Sequence, residues 1–584
     1  MMNKILIPLL LLITQTAFAQ SKTEENNPRG GVLYSRVGYD SNHIKHIILR
    51  GANKEYIEEN AVFTILAKNG KEVFRGKIKF WGNKWQNFWW LVDFTDLKTE
   101  GEFTCRIETG NDHLETGAFK VRSNLLWEDT WKIVTLDQLK ARIEFRDKNV
   151  VKHGPEHAQG GGWQDCGGYL REVNSHATMI VGLLDLLEFS AHKIQTSDQQ
   201  KIVEQILVGL DYIAFCQDKA RELGKGEGAI IHEWPKHRNV ITGDVAKGAL
   251  CFTRAGHLLR KYNKDKAVEY LQRGLRSFKW LDANGAIHHP GGTDFHGRVQ
   301  PDDGYSRIAH GAPKGYKRPE EWKTRDIVMM MWTAVELTKS GEEEYKEYAV
   351  RYANMLAGRQ ISKDEPEGKY YGHFKAYASS DHSEKAWEHH HMGYDAGATF
   401  PHYIVPLFEM IRLWPKHEYV NTWRTIIKDF AYGYFLPACF DNPFYLLPMG
   451  YFKNEGLLTF SGLWHGMNGA YGSAAALALE MGKFTGDKRF NQIATGNLQW
   501  IAGLNAGIAE NGKFVSKSMI YGIGDEFIGS WTKIPGTICN GFESDRQFYY
   551  AEPKASNDGP WVFTDEGWIT HSGGWISAIS RLEN

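Results

Sequence analysis

The spacing of apolar and polar positions changes once along the chain, near Leu125. Before this point, short runs of alternating apolar and polar residues are separated by turn residues such as Asn69-Gly70. Short strands joined by hairpins are typical of a β-sandwich of the immunoglobulin type. The predicted strands are 44–49, 61–67, 71–80, 89–94, 103–107 and 118–121.

After Leu125 the apolar positions recur with a helical period. Ile202, Ile206 and Ile213, for example, fall on one face of a predicted helix that begins behind a Ser197 cap. The predicted helices are separated by loops rich in glycine, aromatic residues and histidine that are longer than connectors need to be. These loops are 291–315, 369–401 and 446–466. Long loops gathered at one end of a helical barrel usually form a binding groove.

The first residues have the charged, apolar and small-residue order of a secretory signal peptide, with cleavage expected after Ala19. The sequence therefore predicts a secreted or periplasmic protein. The apolar run of this segment is too short to span a bilayer and no other segment has about 20 uninterrupted apolar residues, so we expect no membrane insertion. The expected organisation is a signal peptide at 1–19, an immunoglobulin-like β-sandwich at 31–122 and a helical catalytic barrel at 126–584.

Composition restricts the partners. Lys and Arg number 69 against 70 Asp and Glu, so no overall basic field exists to hold nucleic acid. The chain has 20 Trp and 26 Tyr, and such flat rings with a polar edge suit stacking on sugars. Its six cysteines are scattered without a CxxC spacing, which indicates neither a disulfide framework nor a cysteine zinc site.

Four segments resemble one known family. Tyr34–Asp40 (YSRVGYD) resembles the start of the immunoglobulin-like module that precedes many catalytic domains of glycoside hydrolase family 9. Gly161–Tyr169 (GGWQDCGGY) is similar to that family's G-G-W-x-D-A-G-D motif, and Leu498–Gly507 (LQWIAGLNAG) to its Y-I-L-G-x-N-P helix end. Asp565–Gly573 (DEGWITHSG) is similar to its terminal N-E-x-x-I-x-x-N-A motif. The resemblance implies an immunoglobulin-like domain followed by an (α/α)6 barrel that acts on a polysaccharide.

The same resemblance implies two catalytic carboxyl groups, one that protonates the leaving oxygen and one that activates water on the opposite face. By motif position Glu566 is the acid. The first Asp of the D-A-G-D element is retained as Asp165, but the second, the family's principal base, is replaced by Gly168. Glycine cannot take a proton, so either Asp165 alone serves as base or the scaffold performs other chemistry. Trp163 and Trp568, in the same motifs, are candidate substrate-binding residues.

A first polar cluster runs from Trp464 to Tyr471. If a helix starts near His465, Asn468 and Tyr471 follow at i+3 and i+6 and share one broad face. A neutral amide with His and Tyr suits β-elimination of a uronic acid, because the amide offsets the carboxylate charge while His and Tyr move the protons. The alternative is a satisfied polar patch where helix and loop meet.

A second cluster contains His389, His390, His391 and Tyr394. His390 and Tyr394 are the competing candidates for the same proton transfers, and His389 and His391 would share one side of an extended segment. The alternatives are a solvated surface or a bound Ca²⁺ or Zn²⁺ ion, although no further ligand spacing completes a zinc set. The predicted substrate-binding residues beyond the motif tryptophans are Trp464, His389, His391 and Arg307.

These observations rank three functions. Because the principal base is missing, the first prediction is a lyase that cleaves a uronic-acid-containing, ulvan-like polysaccharide by β-elimination and requires no cofactor. The alternative is an inverting, endoglucanase-like hydrolase of the family 9 type that uses Asp165 and Glu566. The third is a glycan-binding protein without catalysis. In each case the expected partner is a polysaccharide, not nucleic acid.

Overall fold

The N-terminal part of the protein is a β-sandwich. The computed structural model describes residues 30–109, 112–166, 170–286, 319–364, 369–380, 402, 404–452, 456–460, 467–530, 532–542 and 565–582. The strands of the sandwich are β1 (Gly31–Leu33), β2 (Tyr39–Asp40), β3 (His46–Gly51), β4 (Val62–Ala67), β5 (Glu72–Lys77), β6 (Lys79–Lys84), β7 (Asn87–Asp93), β8 (Gly101–Thr109), β9 (Asp112–Glu115) and β10 (Phe119–Arg122). One sheet has the order β1-β3-β7-β6, and the other β2-β10-β8-β4-β5 with β9 beside β8.

The core of the sandwich is aromatic. The Tyr39 ring meets Phe94 and Phe119 edge-on, with ring centroids 5.1 and 5.5 Å apart. The buried Tyr39 hydroxyl donates to the carbonyl oxygen of His46 over 2.8 Å. The predicted Asn69-Gly70 hairpin is confirmed between β4 and β5, where Gly70 has a φ of +80°. The predicted strand 71–80, by contrast, is split into β5 and β6, which belong to different sheets.

The rest of the described chain is mainly helical. The helices are α1 (Leu125–Lys132), α2 (Gln138–His153), α3 (Val173–Phe189), α4 (Thr196–Glu222), α5 (Thr242–Leu258), α6 (Lys264–Asn284), α7 (Thr324–Lys339), α8 (Tyr345–Ala357), α9 (Val405–Leu413), α10 (Val420–Asp429), α11 (Leu436–Cys439), α12 (Asn468–Thr485), α13 (Arg489–Ile501) and α14 (Ile569–Ile579). Two small hairpins are formed by β11 (Gly450–Phe452) with β12 (Gly456–Leu458) and by β13 (Ile508–Glu510) with β14 (Lys513–Val515).

These helices form an (α/α)6 barrel. A π-helical turn at Ile133–Asp137 joins α1 to α2, and another at Phe430–Phe435 joins α10 to α11, which leaves twelve helices in the described ranges. The inner ring consists of α3, α5, α7, α9, α12 and α14, and its members pack against one another and against the outer helices. The fold class predicted from the sequence is therefore confirmed.

Inner helices bury most of their residues, and α14 is the extreme case because all eleven of its residues are buried. Glycine permits the closest approach: a Cβ added to Gly573 would lie 2.5 Å from the carbonyl oxygen of Thr178 on α3. The outer helix α4 buries the face predicted from its periodicity. It begins one residue earlier than the predicted cap, since Ser197 lies within its first turn and Gln195 precedes it.

No helix among the residues described is long and apolar enough to cross a lipid bilayer. The predicted signal peptide lies outside the described residues.

The sandwich packs closely against the barrel. Trp89 on β7 meets the Phe444 ring edge-on at 5.3 Å, and Trp85 lies 5.0 Å from Phe460. The Arg50 guanidinium donates to the carbonyl oxygen of Ala506 over 2.7 Å. The two parts therefore share buried apolar and polar contacts in addition to the covalent connection.

We expect the sandwich and the barrel to remain associated during limited proteolysis. The connection between β10 and α1 spans only Ser123 and Asn124, and the Ser123 backbone N–H donates to Glu100 over 2.8 Å. A time course followed by intact-mass spectrometry should give no early pair of fragments cut near Ser123. Early release of two intact halves at that position would show that the interface is weak.

Candidate active site

Asp165 and Glu566, which lie in the motifs similar to those of family 9, each come just before an inner helix, and these two helices are neighbours. Asp165 lies in the segment before α3, and Glu566 lies three residues before α14. Helices α3 and α14 pack side by side in the inner ring. Because successive inner helices of such a barrel run in the same direction, both carboxyl groups lie at the same end of the barrel.

The backbones of the two segments are joined directly. The N–H of Ile569 donates to the carbonyl oxygen of Asp165 over 2.9 Å. The buried Arg142 guanidinium donates to that same oxygen over 3.0 Å and to the carbonyl oxygen of Gly567 over 3.3 Å. Burial lowers the pKa of Arg142 to about 10, so the side chain stays cationic at neutral pH. One buried cation thus fixes the segments of both carboxyl groups relative to each other.

The Asp165 carboxyl group is fully buried. Its Oδ2 accepts a hydrogen bond from the backbone N–H of Glu172 over 2.9 Å. Its Oδ1 accepts no hydrogen bond from the part of the chain that the structure describes. Burial, followed by the nearby charge of Glu172, raises the pKa of Asp165 well above its ordinary value. A carboxyl group in such surroundings can exchange a proton near neutral pH.

Asn540 positions Glu566. Its backbone N–H donates to the carbonyl oxygen of Glu566 over 2.9 Å, and its side-chain Nδ2 donates to Oε2 over 3.2 Å. The Asn540 Oδ1 lies 2.6 Å from Nε2 of His571, on the first turn of α14. No sequence motif singles out Asn540, because it lies 26 residues before Glu566.

The two motif tryptophans are core residues beside the site. Trp163 is fully buried, stacks on His176 with ring centroids 5.1 Å apart, and donates from Nε1 to Gln205 over 2.9 Å. Trp568 packs with Cys166 and donates from Nε1 to the Ser175 hydroxyl over 2.7 Å. Both indole N–H groups are engaged within the protein, so the two rings support the Asp165 segment.

Two residues of the predicted His465, Asn468 and Tyr471 cluster are described, and both lie in the interior. Asn468 is buried at the start of α12 and donates to the carbonyl oxygen of Cys539 over 2.8 Å. Tyr471 is buried in the barrel core beside Trp500, and burial raises the pKa of its hydroxyl far above the ordinary value. A phenol held in this way is poorly suited to remove a substrate proton.

Several predicted site residues lie outside the described residues. They are Trp464, His465, His389, His390, His391, Tyr394 and Arg307, and Gly168, which stands in place of the family's base, lies outside the described residues as well.

A polar cluster that the sequence analysis missed lies next to Asp165. Glu172 and His232 approach each other to 3.4 Å, and the other ring nitrogen of His232 lies 2.7 Å from Asp244. Burial opposes the charge on His232, but Asp244 and Glu172 raise its pKa well above the ordinary value. His237 pairs with Glu233 over 3.0 Å. The signal in the sequence was the His232-Glu233 pair with His237 five residues after His232.

Comparisons with known proteins agree with this architecture. The family model for glycosyl hydrolase family 9 matches residues 135–528. The chain therefore belongs to glycosyl hydrolase family 9. The sequence has no significant match among curated proteins.

Solved structures show the same fold at low identity. A metagenome-derived family 9 endoglucanase matches with a TM-score of 0.62 and 15% identity over 94% of this chain and 98% of its own. A family 9 glycoside hydrolase from Bacteroides ovatus matches with a TM-score of 0.61 and 14% identity over the same shares. A single mutant of a thermostable endoglucanase from Alicyclobacillus acidocaldarius matches with a TM-score of 0.57 and 14% identity over 94% of this chain and 99% of its own.

The predicted lyase function is wrong. Membership of a glycoside hydrolase family supports a carbohydrate-active enzyme that hydrolyses glycosidic bonds. The lyase prediction relied on the missing aspartate at position 168 and on a His465, Asn468 and Tyr471 cluster. The structure places the second and third of these residues in the interior.

Proposed function

We propose that this protein is an inverting glycoside hydrolase that cleaves a neutral β-linked glucan, in the manner of an endoglucanase. Glu566 donates a proton to the leaving glycosidic oxygen, and Asp165 accepts a proton from the attacking water. The observation that carries the proposal is the link between the Asp165 and Glu566 segments through Ile569 and Arg142.

The surroundings of the two groups suit these different roles. Asp165 has one oxygen held by the Glu172 N–H and a second that makes no hydrogen bond within the described residues. That second oxygen is the one suited to receive a proton from water. Glu566 is oriented through Asn540, so its carboxyl group is presented in a fixed direction. Export directed by residues 1–19 would bring such an enzyme to a polymeric substrate outside the cytoplasm, and we include it in the proposal.

The stereochemistry of the first product tests this proposal. Purified protein is incubated with soluble β-glucans, and the new reducing end is followed by proton NMR before mutarotation. An inverting hydrolase releases the α-anomer first, because water attacks the face opposite the leaving group. Initial release of the β-anomer would contradict the assigned roles. Retention of glucan on the protein without any new reducing end would favour the glycan-binding alternative.

A further inference from the structure

A compact set of metal-ligating side chains lies at the start of α3. Glu172, His232 and His237 each bring one ligand atom to within 4.8 Å of the others, and all three side chains are buried. Glu172 touches the proposed base through its backbone N–H and its charge, but no proton transfer in the hydrolytic step is assigned to any of the three side chains.

The spacing of the ligand atoms fits a small divalent cation. Oε1 of Glu172 and Nε2 of His232 are 3.4 Å apart. Two ligand atoms bound tetrahedrally to zinc at 2.0–2.1 Å are about 3.3 Å apart. An ion could therefore be bound between them with little movement of either side chain.

A second carboxylate lies beside each histidine. Asp244 lies 2.7 Å from Nδ1 of His232, on the ring side opposite Glu172. Glu233 lies 3.0 Å from Nδ1 of His237, so the metal ligand from that ring would be Nε2. Carboxylate groups that hold the far nitrogen of a ligating histidine are the usual second layer of zinc sites.

The backbone that carries these histidines is held in place. Ile231 and Val240 form a β-bridge, and within it the His232 N–H donates to Asn239 and the Glu233 N–H to His237, both over 2.9 Å. The Val173 N–H of α3 donates to the carbonyl oxygen of His232, also over 2.9 Å. The three ligand residues are therefore already connected through main-chain hydrogen bonds.

The charge balance also favours a cation. Glu172, Glu233 and Asp244 are buried, and each has a carboxylate oxygen within 3.4 Å of a ring nitrogen of His232 or His237. Buried carboxylates require compensating positive charge, which a divalent ion supplies.

We propose that Glu172, His232 and His237 form a binding site for a zinc-type divalent cation. Two imidazoles with one carboxylate select zinc and neighbouring transition metals rather than calcium or magnesium, which prefer oxygen ligands. Three protein ligands leave a further coordination position for water. The ion ties the start of α3 to the 231–240 segment.

Metal content and a spectroscopic probe test this site. The full-length protein is stripped with a chelator and titrated with Zn²⁺ by calorimetry and with Co²⁺ by visible absorption. We expect one tight site per chain and the intense visible bands of a four-coordinate Co²⁺ ion. Glu172→Gln and His237→Ala should remove that site, and Asp244→Asn should weaken Zn²⁺ binding about 10–100-fold.

The matched control is His192→Ala, which removes an exposed histidine and should leave binding unchanged. Near-ultraviolet circular dichroism of each variant confirms that loss of binding is not loss of folding. The proposal is overturned if the folded wild-type protein binds no ion tightly. It is also overturned if His237→Ala retains the cobalt spectrum while a triple alanine variant at His389, His390 and His391 loses it.

Discussion

Replacing Glu566 with glutamine is expected to lower the rate of glycan hydrolysis by about 10²–10⁴-fold, the usual contribution of a general acid. Glutamine keeps the shape of the side chain and can still accept the hydrogen bond from Asn540. It cannot deliver a proton to the leaving oxygen. The loss should therefore appear in kcat, with a small change in KM and in the melting temperature.

The matched control for Glu566→Gln is Asp565→Asn. It neutralises the adjacent carboxyl group and gives the asparagine found at this place in the family motif that the sequence resembles. We expect Asp565→Asn to keep its activity within about tenfold, because no proton transfer is assigned to Asp565. A fully active Glu566→Gln variant would eliminate Glu566 as the acid.

The second large effect concerns stability at the other end of the barrel. Asp185 on α3 is buried and pairs with Arg581 over 2.7 Å and with Arg254 over 2.9 Å. Replacing Asp185 with asparagine removes the negative charge that balances two buried guanidinium groups. We expect Asp185→Asn to lower the free energy of unfolding by about 3–5 kcal/mol, as is typical when one partner of a buried ion pair is removed.

The pH dependence of unfolding separates this ion pair from a packing effect. Burial opposes ionisation, but Arg581 and Arg254 lower the pKa of Asp185 to about 2. The stabilisation by Asp185 is therefore fully present above pH 4 and is lost as the pH falls toward about 2. The difference between wild type and Asp185→Asn, measured by denaturant unfolding, should shrink over that range.

The control for Asp185→Asn is Glu222→Gln, which removes a surface ion pair with Lys219. Its effect should be at most about 1 kcal/mol. A loss of stability in Asp185→Asn no larger than in this control, or one that is unchanged at low pH, would contradict the assignment.

Much of the architecture follows from local patterns in the sequence. Alternation before Leu125 predicted the sandwich, and the helical period after it predicted the outer helices, whose buried faces match their apolar positions. The split between β5 and β6 was not predictable, because the apolar pattern continues through Ile78 while the chain passes from one sheet to the other.

Among the residues of the candidate site, only those that lie in a family-like motif could be predicted from the sequence. Asp165 and Glu566 were identified from short segments, although 401 positions separate them along the chain. The spacing argument for Asn468 and Tyr471 placed them correctly on one helix, but α12 belongs to the inner ring and is buried on nearly every face. A helical period shows which residues share a face, and it does not show what that face contacts.

The cluster of Glu172, His232 and His237 was missed for a different reason. Sixty positions separate Glu172 from His232, and helices α3 and α4 lie between them. Tertiary contacts such as the hydrogen bond from Val173 to His232 and the bridge between Ile231 and Val240 bring the groups together. Contacts of this kind depend on the tertiary fold and leave no periodic signal in the sequence.

The most direct test of the central claim is one assay with two readouts. The wild-type protein is incubated separately with a neutral β-glucan and with a polyuronate, while reducing ends and the ultraviolet absorbance of an unsaturated sugar are followed together. Hydrolysis adds water across the bond, so we expect new reducing ends from the β-glucan without a rise in absorbance. A rise in absorbance with the polyuronate, and no reducing ends from the glucan, would contradict it.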